Sequence, residues 1–110
     1  MQKEFMNNQT CKHCYEVNQE ILIDTPRSLK KAIRVIADNI KDGTITESKT
    51  PPKGAPSLYQ TKSFSELAQT MIWDDVIDYY FKCPKCYQIF HLTVETYHGS
   101  GGSWGPYNKE

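Results

Sequence analysis

The chain has 110 residues, room for one hydrophobic core but not for two independent ones. Thirteen basic and thirteen acidic side chains cancel, so no net field draws it to nucleic acid or to a membrane surface. Hydrophobic residues make up 38% of the chain, too many for a disordered protein, and no stretch nears the roughly 20 apolar residues of a membrane span.

Residues 1–10 are polar and carry no element signal. From Tyr15 to Asp24 the run Ile21-Leu22-Ile23, with Val17 before it, reads as a strand. Asp24-Thr25-Pro26 is a helix start, with Thr25 or Asp24 as cap and Pro26 at the first helical position. Leu29, Ala32, Ile33, Ile36, Ala37 and Ile40 then recur at helical spacing, and Asp42-Gly43 stops the helix. Thr44 to Glu47 fits a short strand. Ser48 to Lys62 carries Pro51, Pro52, Gly54 and Pro56 and reads as a surface loop. A shorter helix starts at Ser63 or Ser65, with Phe64, Leu67, Ala68 and Met71 on one face. Val76 to Lys82 is rich in β-formers. From Tyr87 to Tyr97, Phe90, Leu92 and Val94 alternate with His91, Thr93 and Glu95. The segment from Gly99 to Tyr107 reads as a glycine-rich tail with interleaved aromatic residues.

Every cysteine belongs to one of two Cys-x-x-Cys pairs, Cys11/Cys14 and Cys83/Cys86. Two residues between thiols allow a tight turn to aim both sulfurs at one ion. Two such turns supply the four soft ligands of a closed, structural zinc site. The gap between the pairs far exceeds the roughly 15–20 residues of a compact ribbon. The expectation is therefore one zinc-stabilised domain over residues 1–110, with a helical and loop region at about 24–75 inserted between the knuckles. Neither pair has the strand-to-helix context of a redox motif. No apolar leader follows Met1, which argues against disulfides and for the cytoplasm. The expected fold class is α+β: a small antiparallel sheet with a zinc-knuckle hairpin, packed on one main helix and a shorter second one.

No catalytic residue is expected. Glu95 and His98 beside a glycine run suggest an acid, a base and an anion cradle, but no lysine follows the glycines. A continuous strand would also put Glu95 and His98 on opposite faces. His13 and His91 are spare metal donors beside four sufficient thiols. On the first helix, Arg27, Lys30, Lys31, Arg34 and Lys41 share one sector, with Asp38 the only acid among them. That sector is either solvated surface or a dock for an acidic partner or a phosphate backbone. Asp74, Asp75 and Asp78 form either an acidic patch or a turn. Arg34, Tyr97, Trp104 and Tyr107 are the residue types that anchor interfaces, with Arg27, Lys30 and His98 beside them. Trp104 has an alternative role, packed back onto the sheet with its indole N–H satisfied.

The segment from Tyr80 to Trp104, with CPKC at Cys83–Cys86 and ETYHGSGGSW at Glu95–Trp104, resembles the C-terminal part of small bacterial zinc-ribbon-like proteins. Some of these look like immunity proteins encoded beside contact-dependent or secreted toxins. The resemblance implies a cytoplasmic protein that binds a toxin domain and has no chemistry or small-molecule substrate of its own. It carries over Cys83 and Cys86 as metal ligands. The competing expectation is a zinc ribbon that binds nucleic acid as a transcription or translation accessory.

Overall fold

The computed structural model describes residues 11–48, 51 and 60–107. In chain order the elements are β1 (Ile21–Ile23), α1 (Pro26–Lys41), β2 (Thr46–Ser48), α2 (Phe64–Thr70), β3 (Val76–Lys82), β4 (Ile89–Glu95) and β5 (Gly101–Tyr107). The five strands form one sheet in the order β1-β5-β4-β3-β2, every neighbouring pair antiparallel. This is an α+β fold. The proline-rich loop expected between Ser48 and Lys62 lies largely outside the described residues.

Local chemistry sets the limits of α1. Thr25 Oγ1 accepts the Ser28 N–H at 3.0 Å, and Ser28 Oγ accepts the Thr25 N–H at 3.0 Å, a reciprocal cap that satisfies two otherwise orphaned donors. The helix stops where Gly43 takes φ +87°, a left-handed conformation that costs a residue without Cβ little. Its buried face is Leu29, Ala32, Ile33 and Ile36, with Ala37 and Ile40 packed at the margin. In α2, Ser63 Oγ accepts the Glu66 N–H, and Phe64 and Leu67 are buried. Glu47 of β2 accepts the Phe64 N–H at 3.1 Å, tying the sheet edge to that helix.

The inner face of the sheet follows strict alternation. Ile77, Tyr79 and Phe81 of β3 and Phe90, Leu92 and Val94 of β4 join the buried residues of both helices in one cluster. Phe64 stands edge-on to Phe81 and Tyr79 at ring separations of 5.0 and 5.6 Å.

Three expectations need correction. The glycine-rich tail is strand β5, and it lies inside the sheet between β1 and β4. Gly101 has φ +80°, and a Cβ there would sit 2.6 Å from the Ile23 carbonyl oxygen, while one on Gly102 would run into the Thr93 carbonyl. Both glycines are what let the neighbouring backbones close in. Pro106 falls past Trp104, the last residue on this side that β1 pairs with, so its missing N–H costs no ladder bond to β1. Second, the segment after the first knuckle is strand only at Ile21–Ile23. Val17 and Asn18 instead donate to the Cys14 carbonyl in a turn. Third, β4 ends at Glu95, and the chain turns so that Glu95 Oε2 accepts the His98 N–H at 2.7 Å. These two residues are therefore in contact, and no strand separates them.

The helix stripe is the cover of the sheet, so its truncation has a calculable effect. Ile36 is 2% exposed, and Ile36→Ala should cost about 2–5 kcal/mol, read as a shift in the urea or thermal midpoint. Gly102→Ala should destabilise β5 as well, because the Thr93 backbone it meets cannot swing aside. A near-unchanged midpoint in both variants would contradict this packing.

Candidate metal centre

The second knuckle is the turn between β3 and β4. Cys83 N–H donates to the Gln88 carbonyl, and Tyr87 N–H donates back to the Cys83 carbonyl, both at 2.9 Å. Tyr87 completes the turn at φ +67°. Inside it, the N–H groups of Lys85 and Cys86 point at Cys83 Sγ, 3.4 and 3.5 Å away. The first knuckle repeats this wiring, with the N–H groups of His13 and Cys14 directed at Cys11 Sγ. In each pair, the first sulfur is thus cradled by the amides two and three residues on.

The remaining contacts hold the first knuckle in place. His13 Nε2 lies 3.0 Å from the Gly43 carbonyl oxygen at the end of α1. The Cys14 carbonyl accepts from Val17 and Asn18, and the Val17 carbonyl accepts the indole N–H of Trp104 at 2.9 Å. Trp104 in turn stacks on Phe90 with a 5.4 Å ring separation and 4° between planes. A buried indole in β5 therefore positions a turn 87 residues away in sequence.

The four sulfurs converge. All lie within 4.8 Å of one another, and the cross-knuckle pairs Cys14/Cys86 and Cys11/Cys83 are 3.7 and 4.0 Å apart. A disulfide would need about 2.05 Å. Four sulfurs placed about 2.3 Å from a central ion at tetrahedral corners would stand about 3.8 Å apart. The cysteines are free thiols at that second spacing, consistent with one metal ion. Cys14 and Cys83 are buried, while Cys11 and Cys86 are half-buried, so the cluster has one side toward solvent.

The electrostatics of the cluster is that of a site suited to a cation. Burial pushes the Cys14 thiol up, and the sulfurs of Cys11, Cys86 and Cys83 add to the effect. Burial also pushes Cys86 up. At Cys11 burial again opposes the thiolate, but the N–H groups of Cys14 and His13 and the neighbouring thiols outweigh it, holding the group at about 7. Four thiolates in one small volume repel each other, and a divalent ion reverses the balance.

The partner-surface candidates divide sharply. Trp104 is 1% exposed and serves the core, so it is not an anchor for an outside partner. Tyr97 is 70% exposed, and His98 stands beside it at the turn after β4. Tyr107 is half-buried against Tyr80 and His91 on the outer face of the sheet. Arg27, Lys30 and Arg34 lie on the exposed side of α1, as do Lys31 and Lys41, and none makes an ion pair among the described residues. The three aspartates are not a single patch. Asp74 accepts from the Thr61 N–H and hydroxyl, the Asp75 carbonyl accepts the Thr96 N–H, and Asp78 of β3 pairs with His91. His91 is therefore engaged away from the cysteine cluster, and His13 is engaged with the Gly43 carbonyl. Sequence reasoning passed over the Asp78–His91 pair, although two β-strands meeting at a knuckle bring such residues together as diagonal cross-strand neighbours. Among the described residues, no helix is long and apolar enough to cross a membrane.

Comparison with protein-family models, with curated proteins and with solved structures finds no match for this chain.

Elemental analysis of protein purified under reducing conditions should give one metal ion per chain. Cys83→Ser should abolish it and unfold much of the protein, since ligand binding in such sites provides on the order of 10–16 kcal/mol of apparent folding energy. Metal affinity should fall steadily on acidification, because protons compete for the same sulfurs. A folded, metal-free Cys83→Ser protein would show the cluster to be dispensable.

Proposed function

We propose that the chain is a zinc-stabilised protein-interaction module of the immunity type, a cytoplasmic protein that neutralises a toxin domain by binding it. Zinc is favoured for the metal because four sulfur donors leave no open coordination position and the tetrahedral spacing suits an ion with no redox role. Iron is the other ion that takes four thiolates in this geometry, and the elemental analysis separates the two. The thiol state of all four cysteines fits a reducing compartment. All cysteines are committed to the cluster, so none is left as a nucleophile, which favours binding over catalysis.

The observation that carries the reading is the polar side of α1. Arg27, Lys30, Lys31, Arg34 and Lys41 run along about 21 Å of helix with no anionic partner among the described residues. Five of the chain's thirteen cations lie on this one helix face, although the chain as a whole is neutral. Such a stripe suits an acidic protein surface, with arginines as anchors and lysines setting association rate. Tyr97 and Tyr107 add exposed or half-exposed aromatic area elsewhere. A nucleic acid would also meet the stripe with phosphates, but binders of that kind are basic overall and this chain is not.

Capture from the lysate of the source cell tests the proposal. The expected result is one stoichiometric protein partner, retained after nuclease treatment. The double replacement Lys30→Glu and Arg34→Glu should weaken that capture by tenfold or more, about 1.4 kcal/mol, without lowering the melting temperature. Recovery of RNA or DNA instead, with affinity collapsing as salt rises, would establish the nucleic-acid reading.

A further inference from the structure

On the sheet face opposite the core, strand register sets Tyr80 of β3, His91 of β4 and Gly105 of β5 side by side. Glu20, the residue before β1, lies next in the row: a Cβ added to Gly105 would stand 3.1 Å from Glu20 Cγ. The row thus reads phenol, imidazole, empty position, carboxylate. The empty position opens a cleft of about 400 Å³ whose lining includes Glu20, Leu22, His91, Ser103, Gly105 and Tyr107.

The imidazole wall of this cleft is held rigidly. Tyr80 stacks behind it, with ring centroids 4.2 Å apart and planes within 1°. Tyr107 closes one end edge-on at 5.7 Å. Asp78, whose side chain is 7% exposed, holds His91 Nε2 and prevents the ring from turning. One ring face is therefore covered, and the other looks across Gly105 toward Glu20. The carboxylate of Glu20 has no ion pair or hydrogen bond among the described residues.

Gly105 itself has no backbone reason to be glycine. Unlike Gly101 it is not at positive φ, and unlike Gly102 it faces no carbonyl, only the movable side chain and Cα of Glu20. What its missing side chain provides is the gap. The strands flanking β5 are two sheet spacings apart, about 9.6 Å. One planar group at van der Waals distance from both walls occupies about 7–8 Å. A gap of that width matches a flat guest, and among the described residues no lysine or arginine lines it.

We propose that this slot receives an arginine side chain of a protein partner. A guanidinium is flat, stacks on an aromatic ring and pairs with a carboxylate through two parallel N–H groups, so it answers the imidazole face and Glu20 together. A lysine ammonium offers no plane to stack. A nucleobase offers the plane, but a neutral base brings no cation to pair with Glu20. The proposal rests on the protein-binding reading, and it adds a second contact of opposite sign to the α1 stripe, which would orient the partner.

The test uses small probes on the full, metal-loaded chain, so it needs no partner. N-acetyl-arginine amide, N-acetyl-lysine amide and adenosine monophosphate are titrated while backbone amide signals are followed by NMR. The arginine probe should give saturable shifts at His91, Ser103 and Gly105 in the millimolar range, with the lysine probe about tenfold weaker or more. Gly105→Ala and Glu20→Gln should each weaken the arginine response at least fivefold. Should Gly105→Ala fail to fold, Glu20→Gln carries the comparison. Lys30→Glu with Arg34→Glu should leave the arginine response intact, so failure of the α1 reading and failure of the slot are separable. No saturable shift at these residues, an equal lysine response, a preference for the nucleotide, or binding unchanged in both slot variants would each overturn the proposal.

Discussion

The pairing of sulfurs across the two knuckles is the constraint on which the rest of the architecture depends. Cys11 faces Cys83 and Cys14 faces Cys86, each over 72 residues of chain. A turn at the start of the chain has little reason to stay beside a hairpin so distant in sequence. Closing a loop of that length costs conformational entropy that local contacts in a ten-residue turn do not recover. Two further ties support the sulfurs: the His13 contact to the end of α1 and the Trp104 indole bonded to Val17. The knuckle, the helix and the last strand are thereby fixed relative to one another around one small cluster.

Much of this was legible in the sequence wherever a residue's role was local. The Thr25 cap, the Pro26 start, the isoleucine stripe and the Gly43 stop are short-range chemistry, and α1 appears where they place it. The β3 strand follows from its β-forming residues, β4 from alternation, and the grouping of the four cysteines from their spacing. What escaped was long-range. Glycine and proline disfavour strands, so Gly101 to Tyr107 looked like a tail. Its strand character comes from neighbours that approach too closely for any side chain, which no window of sequence reports. Trp104 was readable as either anchor or core residue, and only the position of Val17 decides between them. Residues 15–24 carry strand-forming side chains, yet the turn bonds at Cys14 take priority over most of that segment.

The two polar regions of the surface differ in how they are made. The cations of α1 are a stripe of long, exposed side chains on a regular helix. The row across the sheet is the reverse: a few groups held by stacking and by a buried carboxylate, around one missing side chain. Flexible charge guides an approaching partner over several ångströms, whereas a rigid slot discriminates shape at contact. Under the proposed function the protein uses both, with the cysteine cluster at the end of the same hairpin that carries the row.

The placement of β5 inside the sheet also governs how the protein emerges from the ribosome. Among the described residues β1 pairs only with β5, so its ladder waits until Gly102, Ser103 and Trp104 have been made. The first cysteine pair likewise waits for Cys83 and Cys86. At about 5–20 residues per second, the 72 residues between matched sulfurs take on the order of 4–14 s to synthesise. For that interval two thiols stand in an unfinished chain, open to oxidation or to a stray ion. The half-built molecule therefore depends on a reducing environment more strongly than the finished one, whose cysteines are gathered and partly enclosed.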